Sequence, residues 1–217
     1  MASARTLPAG KRRSRPLAWL VPAVFAGCLV PLAVLLLRAA RSDLGANPIA
    51  EALNRLGLLA LLLLIGSLTC TPLKVLFGWT WPIRIRKTLG NFAFFYAALH
   101  LCTYAGLDQR LDLRAIAKDV LERPFIAVGM LTFLLLVPLA ATSTARMLKR
   151  LGAHRWKRLH RLAYVCGALG VLHFVLRVKQ DLTEPLIYAS VLALLFAVRI
   201  AAWYKKRAGA VVEGLGA

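Results

Sequence analysis

Acidic residues are scarce in this chain of 217 residues, which carries nine aspartates and glutamates against 29 lysines and arginines. None of the nine lies at mid-depth in a long apolar stretch, which argues against a proton-coupled transporter. The chain also lacks the motifs of dinucleotide-binding folds, P-loop NTPases, zinc proteases and serine hydrolases. These absences leave no residue to nominate as catalytic, and we do not expect the chain to catalyse a reaction alone.

Cysteine motifs are missing as well. Cys28, Cys70, Cys102 and Cys166 form no CxxC pair, no CxxCH heme-attachment motif and no zinc-binding spacing. Each lies in or beside an apolar stretch, so we expect four small buried residues. A heme in such a protein would have to be held by coordination and not by a thioether bond.

Long apolar stretches dominate what is present, since 59% of the residues are hydrophobic. A soluble domain of this length would carry more charge and fewer such stretches. A helix of about 20 apolar residues crosses the hydrocarbon core of a bilayer. The sequence therefore predicts an all-α, polytopic membrane bundle of about six transmembrane helices. The predicted spans cover residues 17–37, 56–77, 89–106, 124–142, 159–177 and 184–204.

The net charge of +20 is distributed between apolar stretches and not along one surface, so we predict no nucleic-acid partner. With a cytoplasmic N-terminus, 20 of the 29 basic residues lie on the cytoplasmic side and eight of the nine acids on the other. The positive-inside rule then predicts cytoplasmic N- and C-termini in a bacterial inner membrane, in contact with lipid. We expect a disordered basic tail over residues 1–15, a membrane domain over 16–205 and a short cytoplasmic tail over 206–217.

The segment 107–123, between the third and fourth predicted spans, mixes polar and apolar residues. Ile116, Val120 and Leu121 recur at helical spacing, which favours a short surface helix. Such a helix could dock a soluble partner or simply connect two spans, and the sequence does not decide between the two.

Three of the four histidines lie in or beside predicted spans, where ionisable side chains are costly and usually functional. His100 is inside the third span, and His160 and His173 are thirteen residues apart on the fifth. Thirteen residues rise about 20 Å along a helix, so one iron cannot bind both. Antiparallel spans place His100 and His173 at a similar depth, which predicts a bis-imidazole iron site.

His160 falls near the predicted cytoplasmic face. It could bind a second heme, hold a heme propionate or relay electrons toward a flavin. His154 lies in the basic connection before it and is interpreted as an ordinary surface residue.

An ordered series of short motifs covers roughly residues 20–205. The motifs are LGANP at 44–48, TPL at 71–73, RIRKTLG at 84–90, YAALH at 96–100, RPFI at 123–126, PLAATST at 138–144 and WKRLHRLAY at 156–164, followed by His173. On these motifs the chain resembles the MsrQ (YedZ) family, within a wider group of ferric-reductase-like transmembrane domains. A departure occurs at Leu56-Gly57, where we would expect Thr-Gly.

The resemblance implies a ferric-reductase-like heme domain over residues 16–205 that binds heme b and transfers electrons. The expected donor is the quinone pool or a cytoplasmic flavin reductase, and the expected acceptor is a periplasmic molybdenum-containing methionine-sulfoxide reductase. The resemblance also implies FMN as a cofactor. Arg84, Arg86 and Lys87 form a basic cluster suited to a phosphate or a quinone head group, or to anionic lipid.

Two other functions compete with electron transfer on the residues alone. A small transporter or channel could line its path with the histidines. A membrane scaffold could recruit a partner through residues 107–123, with purely structural histidines.

Overall fold

The computed structural model describes residues 17–178 and 180–215, and these form helices without a β-strand. The predicted tail over residues 1–15 lies outside the described residues, as do residues 216 and 217. The last helix continues through residues 206–215, which we had assigned to a separate tail. The helices are α1 (Leu20–Ala40), α2 (Pro48–Phe77), α3 (Trp81–Thr103), a π-helical turn (Tyr104–Asp108), α4 (Leu113–Glu122), α5 (Pro124–Ala141), α6 (Ala145–Leu159), α7 (Leu162–Arg177) and α8 (Thr183–Leu215).

Local sequence signals set several helix ends. The Asn47 side chain accepts a hydrogen bond from the Ala50 N–H at 3.0 Å, and Pro48 occupies the first turn of α2. Gly78 ends the same helix at φ 70°, a left-handed conformation that glycine adopts without strain. Asp112 caps α4 because its side chain accepts hydrogen bonds from the backbone N–H groups of Arg114 and Ala115 in the first turn, at 2.9 and 3.1 Å.

Four helices form the centre of the bundle. Helix α2 packs mainly on α3, and α5 mainly on α7, while contacts of α2 with α7 and of α3 with α5 join the two pairs. Helix α1 lies outside against α3, where the fully buried Tyr96 donates its hydroxyl to the Cys28 carbonyl at 2.6 Å. Helix α8 lies outside against α7 and α2. The two helix pairs thus enclose an interior that the outer helices shield.

The all-α membrane bundle is confirmed. Among the described residues, α1, α2, α5 and the Thr183–Lys205 part of α8 are each long and apolar enough to cross a bilayer. Helices α6 and α7, bent by 44° at their junction, make a possible fifth span. Helix α3 begins with basic residues and does not reach the same apolar length, so the count of six spans and the orientation of the termini stay predictions.

The predicted surface helix between the third and fourth spans is present as α4. Ile116 and Val120 are half-buried, whereas Leu121 is exposed. The cysteine prediction holds for three residues and is wrong for Cys102, which is exposed on α3. Two residues of helix turn the side chain through about 200° from His100, so Cys102 points to the outside of the bundle.

Candidate cofactor site

His100 and His173 meet inside the four-helix centre. His100 comes from the last turn of α3 and His173 from the fourth turn of α7. Their ring centroids are 6.3 Å apart and the ring planes are nearly perpendicular, at 83°. The two residues that the sequence pairs by depth are therefore brought together by the fold.

Each imidazole is held by a backbone carbonyl of the neighbouring helix. Nδ1 of His100 lies 2.9 Å from the carbonyl oxygen of Leu53 on α2, and Nδ1 of His173 lies 2.6 Å from that of Phe125 on α5. A carbonyl can only accept, so each Nδ1 donates its proton to the carbonyl. This fixes the tautomer and leaves the Nε2 lone pair of both rings available to a metal.

Both rings line a cavity of about 800 Å³ between α2, α3, α5 and α7. Its walls are largely apolar, and this volume falls within the range of about 300–1,000 Å³ typical of small-molecule sites. Apolar lining residues include Leu61, Leu64, Ile126, Phe133 and Leu136. The space is therefore suited to a large, flat, mostly apolar molecule.

One end of the cavity is charged, because the first turns of α2 and the last turn of α7 meet there. Arg55 pairs with Glu51 at 2.5 Å, and Arg123 of the same end pairs with Asp119 at 3.2 Å. Arg177, by contrast, donates to the neutral side-chain oxygen of Asn54. Arg177 is therefore the cation of this end whose hydrogen-bond partner is neutral, and it can accept an anionic group.

The geometry fits a heme iron. An imidazole nitrogen lies about 2.0 Å from a bound metal, and the ring centroid about 1.1 Å further, so two rings on one iron have centroids about 6 Å apart. The observed 6.3 Å agrees with that spacing. Among residues 17–178 and 180–215, no group of three or more His, Cys, Asp or Glu side chains could hold a bare metal ion. A heme needs only two protein ligands, because the porphyrin supplies four nitrogens.

His160 is not brought to this cavity. It lies at the junction of α6 and α7, where its Nε2 is 3.1 Å from the Thr142 hydroxyl. Its ring stacks on Trp156 at a centroid distance of 3.9 Å, and the Trp156 indole donates to the Thr142 carbonyl at 2.9 Å. His154 is exposed on α6. His160 therefore belongs to a separate polar cluster between α5 and α6.

The three residues of the basic cluster at the start of α3 point in different directions from the helix. Arg84 and Lys87 are exposed, whereas Arg86 is half-buried and donates to the Thr71 hydroxyl at 3.4 Å. The Arg86 carbonyl also accepts from the Ser67 hydroxyl at 3.0 Å. Of the three predicted residues, only Arg86 thus turns toward the interior of the bundle.

Comparison with known proteins identifies the family. Residues 53–171 match the model of the ferric reductase like transmembrane component. A protein of Rhodospirillum rubrum is 52% identical over 85% of this chain and 89% of its own length. A protein of Deinococcus radiodurans is 48% identical over 87% and 93%, respectively. Both are named protein-methionine-sulfoxide reductase heme-binding subunit MsrQ. The chain belongs to the MsrQ family.

Several residues of this MsrQ-family site are not apparent from the sequence. The Leu53 and Phe125 carbonyls contribute through the backbone, and no side-chain pattern marks them. Gly57 and Gly129 also line the cavity. Arg177 could have been found, because it follows His173 by four residues and so shares a face of α7.

Proposed function

We propose that this chain is the heme b-binding, electron-transfer subunit of a methionine-sulfoxide reductase system. His100 and His173 would hold the iron through their Nε2 atoms. The observation that carries the proposal is the pair of facing imidazoles at 6.3 Å, each with Nδ1 bonded to a carbonyl and Nε2 left for iron. The names of the relatives, which describe a heme-binding subunit, support the same cofactor.

The residues of the cavity bind and orient the heme. The apolar walls exclude water from the porphyrin, and the two carbonyls fix the imidazole planes. Arg177 would donate to a propionate oxygen, because a guanidinium bonds a carboxylate more strongly than the neutral amide of Asn54. When bound, heme supplies one-electron redox chemistry, while the protein sets its position and surroundings.

The expected acceptor is the periplasmic molybdenum-containing catalytic subunit, which repairs oxidised methionine in envelope proteins. The charged end of the cavity lies where α2 begins and α7 ends, the end that the charge distribution assigns to the periplasm of the inner membrane. A heme in this cavity is therefore close to the side from which such a partner would take electrons.

The donor is proposed to reach the opposite end of the bundle. Quinone or a cytoplasmic flavin reductase supplies the electrons, and FMN, if bound, would place its phosphate near Arg86. Arg86 supports this role because it combines a positive charge with an inward position beside Thr71. His160 lies at the junction of α6 and α7, toward this predicted cytoplasmic end. It serves there as a relay or as a ligand to a second heme.

The first test is a reduced-minus-oxidised visible spectrum of the purified protein, with heme measured per chain. We expect a low-spin b-type spectrum in the wild type. His100→Ala and His173→Ala should each lose most of the heme, because one imidazole cannot replace the pair. His154→Ala, which removes an exposed histidine of α6, is the matched control and should keep a full complement.

The same heme measurements can also contradict the proposal. Near-normal heme in either variant would remove that histidine from the ligand set. A wild-type protein without heme, produced with ample heme supply, would contradict the electron-transfer function itself. His160→Ala should keep the low-spin spectrum of the cavity heme, and a drop of about half in heme per chain would place a second heme at His160.

A further inference from the structure

The two histidine supports are built in the same way. His100 bonds the carbonyl of Leu53, and four residues later on α2 stands Gly57. His173 bonds the carbonyl of Phe125, and four residues later on α5 stands Gly129. In an α-helix the N–H of residue i+4 faces the carbonyl of residue i. Each imidazole therefore packs against a single helical turn. The carbonyl that it bonds stands at the start of that turn and the glycine at its end.

The glycines provide the space in which the rings lie. A Cβ atom at Gly129 would be 2.8 Å from both Nδ1 and Cε1 of His173. A Cβ atom at Gly57 would be 3.2 Å from the same two atoms of His100. Optimal contacts between non-bonded heavy atoms are about 3.5–4.0 Å, so any side chain at Gly129 would displace the ring. At Gly57 the ring would have to move by a few tenths of an ångström.

Glycine at these positions has a cost, which suggests a reason for its presence. A glycine inside a helix is about 1 kcal/mol less favourable than an alanine. Other helix glycines differ in what a Cβ would meet: at Gly167 it would be 3.1 Å from an apolar Leu68 side chain, at Gly66 only Leu89 lies near, at 3.7 Å, and at Gly27 nothing lies within 4 Å. Among these glycines, close approach to a histidine ring is specific to Gly57 and Gly129.

We infer that Gly57 and Gly129 are positioning residues of the iron site, and that they set the orientation of the two imidazole planes. The inference rests on the proposed heme ligation by His100 and His173. A methyl group at either glycine would push the ring away from its carbonyl and shift the point at which Nε2 meets the iron, more at Gly129 than at Gly57. The nearly perpendicular ring arrangement, at 83°, then changes.

The test uses Gly129→Ala and Gly57→Ala in the full-length protein purified with heme. Gly66→Ala on α2 is the matched control. Two quantities are measured: the rate at which heme transfers to excess apomyoglobin, and the electron paramagnetic resonance spectrum of the ferric protein. That spectrum reports the angle between axial imidazoles, since perpendicular planes give a highly anisotropic low-spin signal and parallel planes a rhombic one.

We expect Gly129→Ala to lose heme at least about 10-fold faster, as supporting groups around metal ligands usually contribute 10–100-fold to affinity. Gly57→Ala should keep heme but show a changed low-spin signal. Gly66→Ala should match the wild type in both. If Gly129→Ala does not purify as a folded protein, the signal of Gly57→Ala decides.

A wild-type signal and a wild-type transfer rate in Gly57→Ala would overturn the inference, as would unchanged heme retention in a folded Gly129→Ala. Failure of the inference is distinguishable from failure of the proposed function. In the first case the wild-type protein still carries low-spin heme, and in the second it carries none.

Discussion

At the scale of single residues, Arg86 differs from the two basic residues beside it. Arg84 and Lys87 are exposed in the way expected of cations that contact lipid head groups, whereas Arg86 reaches Thr71 on α2. A guanidinium held in this manner is pre-organised for a phosphate or a quinone oxygen. The contribution of the cluster to electron entry should therefore depend mainly on Arg86.

Replacing Arg84 and Arg86 together by alanine should slow reduction of the heme without changing heme content. Hydrogen bonds to a charged group contribute about 1.5–3 kcal/mol, so donor binding should weaken about 10-fold or more. The measurement is stopped-flow reduction with a quinol or a flavin reductase as donor. Lys118→Ala, on the exposed surface of α4, is the control cation. An unchanged reduction rate in the double variant would mean that the cluster only anchors the helix at lipid.

The histidine pair could be predicted from sequence because depth in an antiparallel bundle follows from position along each span. The supports of the pair could not be predicted. Leu53 and Phe125 act through their backbone carbonyls. Every residue type that fits in a helix has the same carbonyl, so no side chain in the sequence marks these positions. Gly57 was noticed only as part of a motif, since the close contact with His100 exists only in three dimensions.

At the scale of helices, Arg199 fastens the outer helix α8 to the centre of the bundle. Its guanidinium donates to the Tyr164 hydroxyl on α7 and, at 2.5 Å, to the Leu68 carbonyl on α2. The same group lies 4.7 Å from the centroid of the Tyr164 ring. One side chain thus joins three helices, in a region where water is scarce and polar groups need partners.

Arg199→Lys should lower the free energy of unfolding of the bundle, and Arg199→Ala should lower it further. Lysine has one compact ammonium and cannot reach both partners as the planar guanidinium does. Interhelical hydrogen bonds in membranes contribute about 0.6 kcal/mol on average and up to about 1.7, so the alanine variant should lose about 1–3 kcal/mol. Unfolding in detergent mixtures measures the loss, with Lys205→Ala on the same helix as control. A wild-type midpoint in Arg199→Ala would show that α8 is held by packing alone.

Helix boundaries show which local features the apolar pattern does not capture. Helix α2 begins at Pro48, eight residues before the predicted span, because its first two turns carry Glu51, Asn54 and Arg55 at the charged end of the cavity. Helix α6 was not predicted at all. It is strongly basic and is interrupted at Gly152, whose φ is 73°. Capping and packing extend α2 and form α6, and the pattern of apolar residues contains neither signal.

At the scale of the whole molecule, the charge distribution predicts how the bundle is oriented and how often it crosses the bilayer. The basic residues predict six crossings with both termini in the cytoplasm. Two elements decide the number: α3, whose basic first turns make it less apolar than α1, α2, α5 and α8, and the bent pair of α6 and α7. If α3 crosses, Gly78 and Gln109 lie on opposite sides of the membrane.

Topology reporters fused after single residues test this arrangement. Alkaline phosphatase should be active when fused after Asp43, Gln109 or Asp181, and inactive after Gly78 or Ser143. A green fluorescent protein fusion at the same positions serves as the reciprocal control, because it fluoresces only in the cytoplasm. Equal phosphatase activity after Gly78 and Gln109 would mean that α3 does not cross.

Both imidazole supports are neutral peptide carbonyls, and this has a consequence for the reduction potential. A carboxylate bonded to Nδ1 would make the ring a stronger electron donor and would favour ferric iron. The carbonyls of Leu53 and Phe125 do so much less, because they carry no formal charge. A heme in this cavity is therefore tuned toward a higher midpoint than one with carboxylate-supported histidines. Neutral carbonyl supports at both histidines would therefore favour the reduced form of a heme bound here.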